Sequence, residues 1–175
     1  MISSRVRRTA LERALVASGD HVLVACSGGP DSTVLLHVLH RLRRELEITL
    51  CAASIDHGLR PESAAEVEQV GAFARSLGVP FQSARIEIPA QGASIQGRAR
   101  ELRYAALREI AAAQGATRIA VGHTRDDQAE TVLARMLRGA GIRGLAGIAP
   151  RRSDGVIRPL IDCCRSEVRA YAVER

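Results

Sequence analysis

Lysine, asparagine and tryptophan do not occur in this chain of 175 residues. The absence of lysine rules out a Walker A loop, whose Gly-Lys-Ser/Thr step needs that side chain on the phosphates. At the first glycine turn the glycines Gly28 and Gly29 are adjacent, so the Gly-x-Gly-x-x-Gly dinucleotide fingerprint is not met there. No run reaches the roughly 18–20 apolar residues of a membrane span. Met1 leads into Arg5, Arg7 and Arg8 without an apolar signal core, so a cytoplasmic setting is the expectation. There is no Cys-x-x-Cys pair, and repeats and low-complexity tracts are missing.

All 25 basic residues are arginine, and the net charge is +6. A coding bias toward arginine and alanine accounts for most of this. The same charge suits an anionic partner such as RNA, because arginine pairs bidentately with phosphate and stacks on bases. Apolar residues make up 46%, an ordinary share for one globular domain of this length. Cys26 and Cys51 lie in apolar, strand-like runs, and the side chains of adjacent Cys163 and Cys164 diverge on a helix. All four cysteines are read as structural.

What is present begins at Ala25-Cys26-Ser27-Gly28-Gly29-Pro30-Asp31-Ser32. The run follows an apolar stretch, 21–25, and precedes a helix-like one, 33–46. A strand, a small-residue turn and a helix start make an anion site. Glycines let backbone N–H groups approach phosphate, and the helix adds unpaired N–H groups and the positive end of its dipole. Ser27 and Ser32 can donate hydroxyls, and Asp31 can hold a metal ion on the same phosphates.

Strand-like and helix-like segments then alternate. Strands are expected at 22–25, 48–55, 81–86, 118–121 and 156–160. Helices are expected at 31–46, 62–77, 95–114, 126–137 and from Arg165 onward, with a glycine-rich flexible loop at 139–147. This pattern predicts an α/β fold, a Rossmann-like three-layer α/β/α arrangement. Its sheet would be open and mostly parallel, of about five strands, with helices on both faces. Ligands in such sheets bind beyond the carboxyl ends of the strands. Three polar clusters obey that rule: Ser27–Ser32, Asp56-His57-Gly58 and Gly122-His123.

Ser27-Gly28-Gly29-Pro30-Asp31-Ser32 resembles the pyrophosphate loop of the PP-loop ATP pyrophosphatases. Three further segments resemble one branch of them, the tRNA(Ile)-lysidine synthase family. These are Ile55-Asp56-His57-Gly58-Leu59-Arg60; Gly122-His123-Thr124-Arg125-Asp126-Asp127-Gln128-Ala129-Glu130-Thr131, continuing to Arg138-Gly139-Ala140-Gly141; and Arg158-Pro159-Leu160-Ile161. Arg100-x-x-Arg103-Tyr104 is similar to a helix of the same family. The likeness runs from about Val22 to the end of the chain.

The resemblance implies a C–N-forming ligase acting on tRNA(Ile) with anticodon CAU. ATP adenylates the 2-carbonyl oxygen of the wobble cytidine, and L-lysine then displaces AMP to leave lysidine. It implies ATP and Mg²⁺ as cofactors, with no membrane partner, and sets no oligomeric state. Ala25, Ser27, Gly28, Gly29, Pro30, Asp31, Ser32, Ile55, Asp56, Gly122 and His123 are the implied nucleotide-binding residues. Asp31, Arg100, Arg103, His123 and Asp127 are the candidates for catalysis, and Asp31 and Asp127 for metal. Each has a plainer reading. Asp126 and Asp127 can cap a helix, Glu130 can pair with Arg125 or Arg135, His57 and His123 can be turn residues, and Arg100 and Arg103 a solvated face. The choices between Asp126 and Asp127, and between Arg100 and Arg103, stay open.

The chain departs from the family at Ala140, where serine is usual, and in length. The expectation is that residues 1–175 are an ATP-binding catalytic domain at the start of a longer protein whose tRNA-gripping regions lie beyond it. The alternatives are a sister PP-loop enzyme (a tRNA 2-thiocytidine synthase, or a GMP or NAD synthetase) and a nucleotide-binding module without catalysis.

Overall fold

The computed structural model describes residues 2–56, 63–87 and 95–174. The chain runs α1 (Ile2–Glu12), β1 (His21–Ala25), α2 (Pro30–Leu42), β2 (Thr49–Asp56), α3 (Ser63–Ser76), β3 (Phe81–Arg85), α4 (Ile95–Ala113), β4 (Arg118–Ala120), α5 (Arg125–Leu137), a 3-10 turn (Ile142–Leu145), β5 (Val156–Ile157) and α6 (Arg165–Val173). The strands form one sheet in the order β3-β2-β1-β4-β5, and every pairing between them is parallel.

Strand residues alternate between two cores, as the pleat requires. Val22, Val24, Leu50, Ala52, Ala120 and Ile157 join the larger one, with the apolar faces of α1, α2, α3 and α6. Leu23, Cys51, Ala53, Ile119, Val121 and Val156 face the other way, onto Tyr104, Leu107 and Ala111 of α4. Both faces are therefore covered, and the β1 and β2 runs read as continuously apolar for that reason. Each fully buried Leu or Val contributes about 1.5–3 kcal/mol.

The expected architecture is present, with three corrections in detail. The helix expected to reach Leu46 ends at Leu42, because the chain turns through 43–47 and Glu47 sits at φ 53°. The last strand stops at Ile157 rather than Leu160. The loop 139–147 contains a 3-10 turn tied to α5 by Arg135, which donates to the carbonyls of Gly144 and Gly147 at 3.1 and 3.2 Å. A further element was not anticipated. α1 buries Ile2, Val6 and Ala10 at a spacing of four, and Thr9 and Arg13 hold Asp162 at 3.0 and 2.9 Å. It ties the start of the chain to the segment before α6.

After β1 the chain builds outward through β2 and β3, then returns to add β4 on the other side of β1. The loops leaving β1 and β4 diverge at this switch point, which leaves a crevice at the carboxyl ends of the strands.

Candidate active site at the sheet switch point

Gly28 takes φ +80°, a conformation that disfavours any side chain, and turns the chain from β1 into α2. Pro30 opens the helix at a position where its missing N–H is not needed. Ser32, buried at the base of the turn, accepts from the Ser27 N–H and donates to the Gly29 carbonyl, both at 3.0 Å. Its hydroxyl, expected to reach outward to phosphate, is thus spent on bracing the loop. Thr33 repeats the brace on the same carbonyl at 3.1 Å.

A cavity of about 230 Å³ opens beside this loop. Among the residues singled out from the sequence, Ala25, Ser27, Asp31, Ser32, Ile55, Arg100, Arg103, Gly122, His123 and Asp127 line it. Four do not. Gly28 and Gly29 line a neighbouring cavity on the other side of the loop, against Glu66, Val70 and Phe73 of α3. Pro30 and Asp56 line neither cavity. His57 to Arg60 lie outside the described residues.

Asp31 carries the clearest chemical signal. Its Oδ1 is buried with no hydrogen-bond partner. Burial, and the nearby charge of Asp127, raise its carboxyl above the usual range. An orphaned carboxylate oxygen in a cavity is the arrangement a divalent cation would satisfy. Mg²⁺ commonly takes one or two carboxylates and completes its shell with water and substrate phosphates. No cluster of three or more His, Cys, Asp or Glu residues arranged to hold a metal occurs among the described residues, so the substrate would have to supply the rest.

Asp127 is differently placed. Thr124 is the N-cap of α5, and Asp127 closes a capping box on it, accepting from the Thr124 N–H at 2.6 Å and its hydroxyl at 2.8 Å. Its other oxygen accepts from Arg165 at 2.9 Å. Burial would raise this carboxyl, but Thr124 and the Arg165 charge outweigh it and hold it below the usual range. Asp126 accepts from the Arg165 backbone N–H at 2.7 Å. Glu130 pairs with Arg165 at 2.8 Å, not with Arg125 or Arg135 as its position on the helix suggested. One arginine at the start of α6 therefore gathers three carboxylates of α5. Nothing in the sequence marked it, because it follows β5 through an irregular segment.

His123 is pushed down to about 4 by burial and by the charges of Arg158 and Arg100, so it is neutral at physiological pH. Two guanidinium groups, of Arg100 and Arg152, each lie 5.3 Å from the ring centre of Tyr104. Arg100, His123 and Asp127 also line a third cavity, with Glu130, Arg138 and Arg152. Ile148, which also lines that cavity, donates its N–H to the side-chain oxygen of Gln128. Cys26 lines the cavity beside the loop. Burial pushes Cys26 up to about 12, so it stays a thiol.

This loop, crevice and carboxylate set coincide with a family match. The model of the PP-loop domain matches residues 3–175. The chain belongs to the PP-loop family. Family membership carries ATP binding with it. Among curated relatives, the PP-loop domain is 46% identical over 174 residues to a tRNA(Ile)-lysidine synthase of Symbiobacterium thermophilum, covering 95% of this chain and 36% of that protein. It is 40% identical to another of Dehalococcoides mccartyi, covering 99% of this chain and 40% of that protein. The chain thus spans well under half the length of these relatives.

Solved structures agree on the fold. A U34-tRNA thiolase, NcsA, of Methanococcus maripaludis superposes with a TM-score of 0.79 at 18% identity, over 99% of this chain and 63% of that one. An NH3-dependent NAD synthetase of Campylobacter jejuni gives 0.60 at 18% identity, over 99% and 71%. Among the described residues no helix is long and apolar enough to cross a membrane.

Proposed function

We propose that this PP-loop domain is the nucleotidyl-transfer part of a cytoplasmic tRNA(Ile)-lysidine synthase. The observation that carries the reading is the cavity where the pyrophosphate loop, Asp31 with its buried, unpartnered Oδ1, His123 and two arginines converge. The sequence identity to lysidine synthases supports that enzyme over its sisters.

In the first step the 2-carbonyl oxygen of the wobble cytidine attacks the α-phosphorus of ATP. An O–P bond forms, the bond from that phosphorus to the bridging oxygen breaks, and pyrophosphate leaves with the electron pair. In the second step the amine of L-lysine attacks C2. The C2–O bond breaks, AMP leaves with the oxygen, and the attacking ammonium gives up its protons to the surroundings.

The domain's residues divide this work. Backbone N–H groups of the loop and the start of α2 hold the departing phosphates. Asp31, with Asp127 as the second candidate, would hold Mg²⁺, which neutralises charge on the pyrophosphate. Arg100 and Arg103 bind phosphate or base from α4. Ala25 and Ile55, at the carboxyl ends of adjacent strands, flank the nucleoside. The arginine-rich rim suits the tRNA backbone.

Two observations favour this reading over a thiolase. The cysteines do not gather into a cluster site among the described residues, and Cys26 in the cavity is held as a thiol. The test is pyrophosphate release by the full-length protein with ATP, lysine and tRNA. Release that requires the CAU anticodon supports lysidine synthesis. Release with a different acceptor assigns a sister reaction, and no release with any acceptor leaves a binding module.

A further inference from the structure

Histidines positioned for catalysis usually donate Nδ1–H to a carbonyl or carboxylate. At His123 that polarity is inverted. β4 and β5 pair in parallel with Ala120 opposite Ile157, so the loops leaving them emerge side by side. Arg158, the first residue past β5, is only 2% exposed. Its Nε–H donates to His123 Nδ1 at 3.1 Å, and a terminal N–H donates to the Ala149 carbonyl. Its backbone N–H donates to the Pro150 carbonyl at 2.9 Å. The guanidinium is thus fixed at two points and the backbone that carries it at a third. A guanidinium has donors only, so His123 Nδ1 accepts and carries no proton. The remaining ring nitrogen, Nε2, must carry it.

We infer that Arg158 is a positioning residue that locks His123 in the Nε2–H tautomer, so that the histidine serves the cavity as a neutral hydrogen-bond donor and not as a general base. The inference rests on the nucleotidyl-transfer reading for its catalytic consequence, and on geometry alone for the tautomer. A neutral N–H aimed at a developing anion stabilises charge with no reorganisation and no proton to return. Protonating Nδ1 would set its N–H against the Arg158 N–H and break their bond. Arg100 and Arg103 reinforce the neutral form from α4, while Asp127 on α5 opposes them.

The test begins with nitrogen NMR of ¹⁵N-histidine-labelled full-length protein without nucleotide. His123→Gln identifies the resonances of His123 among the five histidines of this chain. The expected spectrum at neutral pH has Nδ1 unprotonated and Nε2 protonated. Arg158→Met should let the tautomers mix, moving the two resonances toward each other. It should also lower the single-turnover rate of pyrophosphate release about ten- to a hundredfold, the scale set by loss of a tautomer-fixing partner, with ATP affinity unchanged. Arg158→Lys keeps a donor and should restore part of both. In the His123→Gln background Arg158→Met should cost nothing further. A protonated Nδ1 in the wild type overturns the proposal, and so does an Arg158→Met defect that persists in full without His123. The wild-type spectrum needs no variant to fold and no substrate to react. Failure of the wild type to release pyrophosphate would therefore sink the functional reading, while the spectrum would still decide the tautomer.

Discussion

Gly122 is packed against Asp31: a Cβ on Gly122 would stand 3.2 Å from the Asp31 carbonyl carbon and 3.2 Å from the Ser32 nitrogen. The obstacle is backbone on the far side, and neither the end of β4 nor the first turn of α2 can step aside cheaply. This close approach brings His123 and the pyrophosphate loop to one cavity. Gly122→Ala should therefore push the two loops apart. Overpacking of this kind costs about 1–3 kcal/mol. Denaturant unfolding should report a loss in that range, and ATP affinity should fall with it. A variant of unchanged stability and affinity would show that the two loops are free to move.

Asp31 gives a pH-dependent prediction. Its folded-state pKa is raised by burial and by Asp127, so ionisation disfavours the folded state. The penalty is absent below the unfolded pKa and complete once pH has risen past the folded one. Asp31→Asn should match the wild type in stability under acid conditions and exceed it increasingly as pH rises through the carboxylate range. Mg²⁺ with ATP should narrow that gap, because a bound cation gives the charge a partner. The same variant should lose pyrophosphate release. Equal stability at all pH values would mean that the carboxylate has water or ion partners in solution.

Thr124 is fully buried, and its loss should be felt at the start of α5. Thr124→Ala removes the hydroxyl that donates to Asp127 and caps the helix, a change worth about 0.5–2 kcal/mol. Asp127 has a depressed folded-state pKa, so its contribution is present above the unfolded value and lost as pH falls through the folded one. The destabilisation by Thr124→Ala should therefore be larger at neutral pH than in acid. Thr124→Ser should behave as wild type. Unfolding curves at the two pH values decide the point.

These sites differ in how far the sequence disclosed them, and the reason is the range of the interactions. The loop 27–32 was readable because strand, turn and helix start are consecutive, and glycine and proline have meaning without knowledge of neighbours. The fold class was readable from alternating apolar runs for the same reason. α1 is less legible: Ile2, Val6 and Ala10 recur at helical spacing, but the stretch between them carries Arg5, Arg7 and Arg8 and its apolar face is defined only by packing on α2 and α6. Three relationships could not be read locally: Arg158 with His123, Arg165 with the α5 carboxylates, and Arg152 with the ring of Tyr104. Each joins residues that only the sheet order brings together. Gly28 and Gly29 line the neighbouring cavity against α3, a placement that depends on where α3 packs and that the loop motif alone does not specify.

Arg100 and Arg103, one turn apart on α4, could not be told apart from spacing, and the structure separates them. Arg103 borders the cavity beside the pyrophosphate loop, whereas Arg100 borders that cavity and the third one, and also stacks on Tyr104. Arg103→Ala should weaken ATP binding and leave RNA binding intact. Hydrogen bonds to charged groups are worth about 1.5–3 kcal/mol, so the loss in ATP affinity should be roughly tenfold or more. Arg100→Ala should weaken both ligands, since the side chain bridges the two cavities. Titrations of ATP and of a CAU anticodon stem-loop against each variant of the full-length protein provide the check. If Arg103→Ala impaired RNA binding as much as Arg100→Ala, the two cavities would be acting as one site, and the division between nucleotide side and RNA side would be wrong.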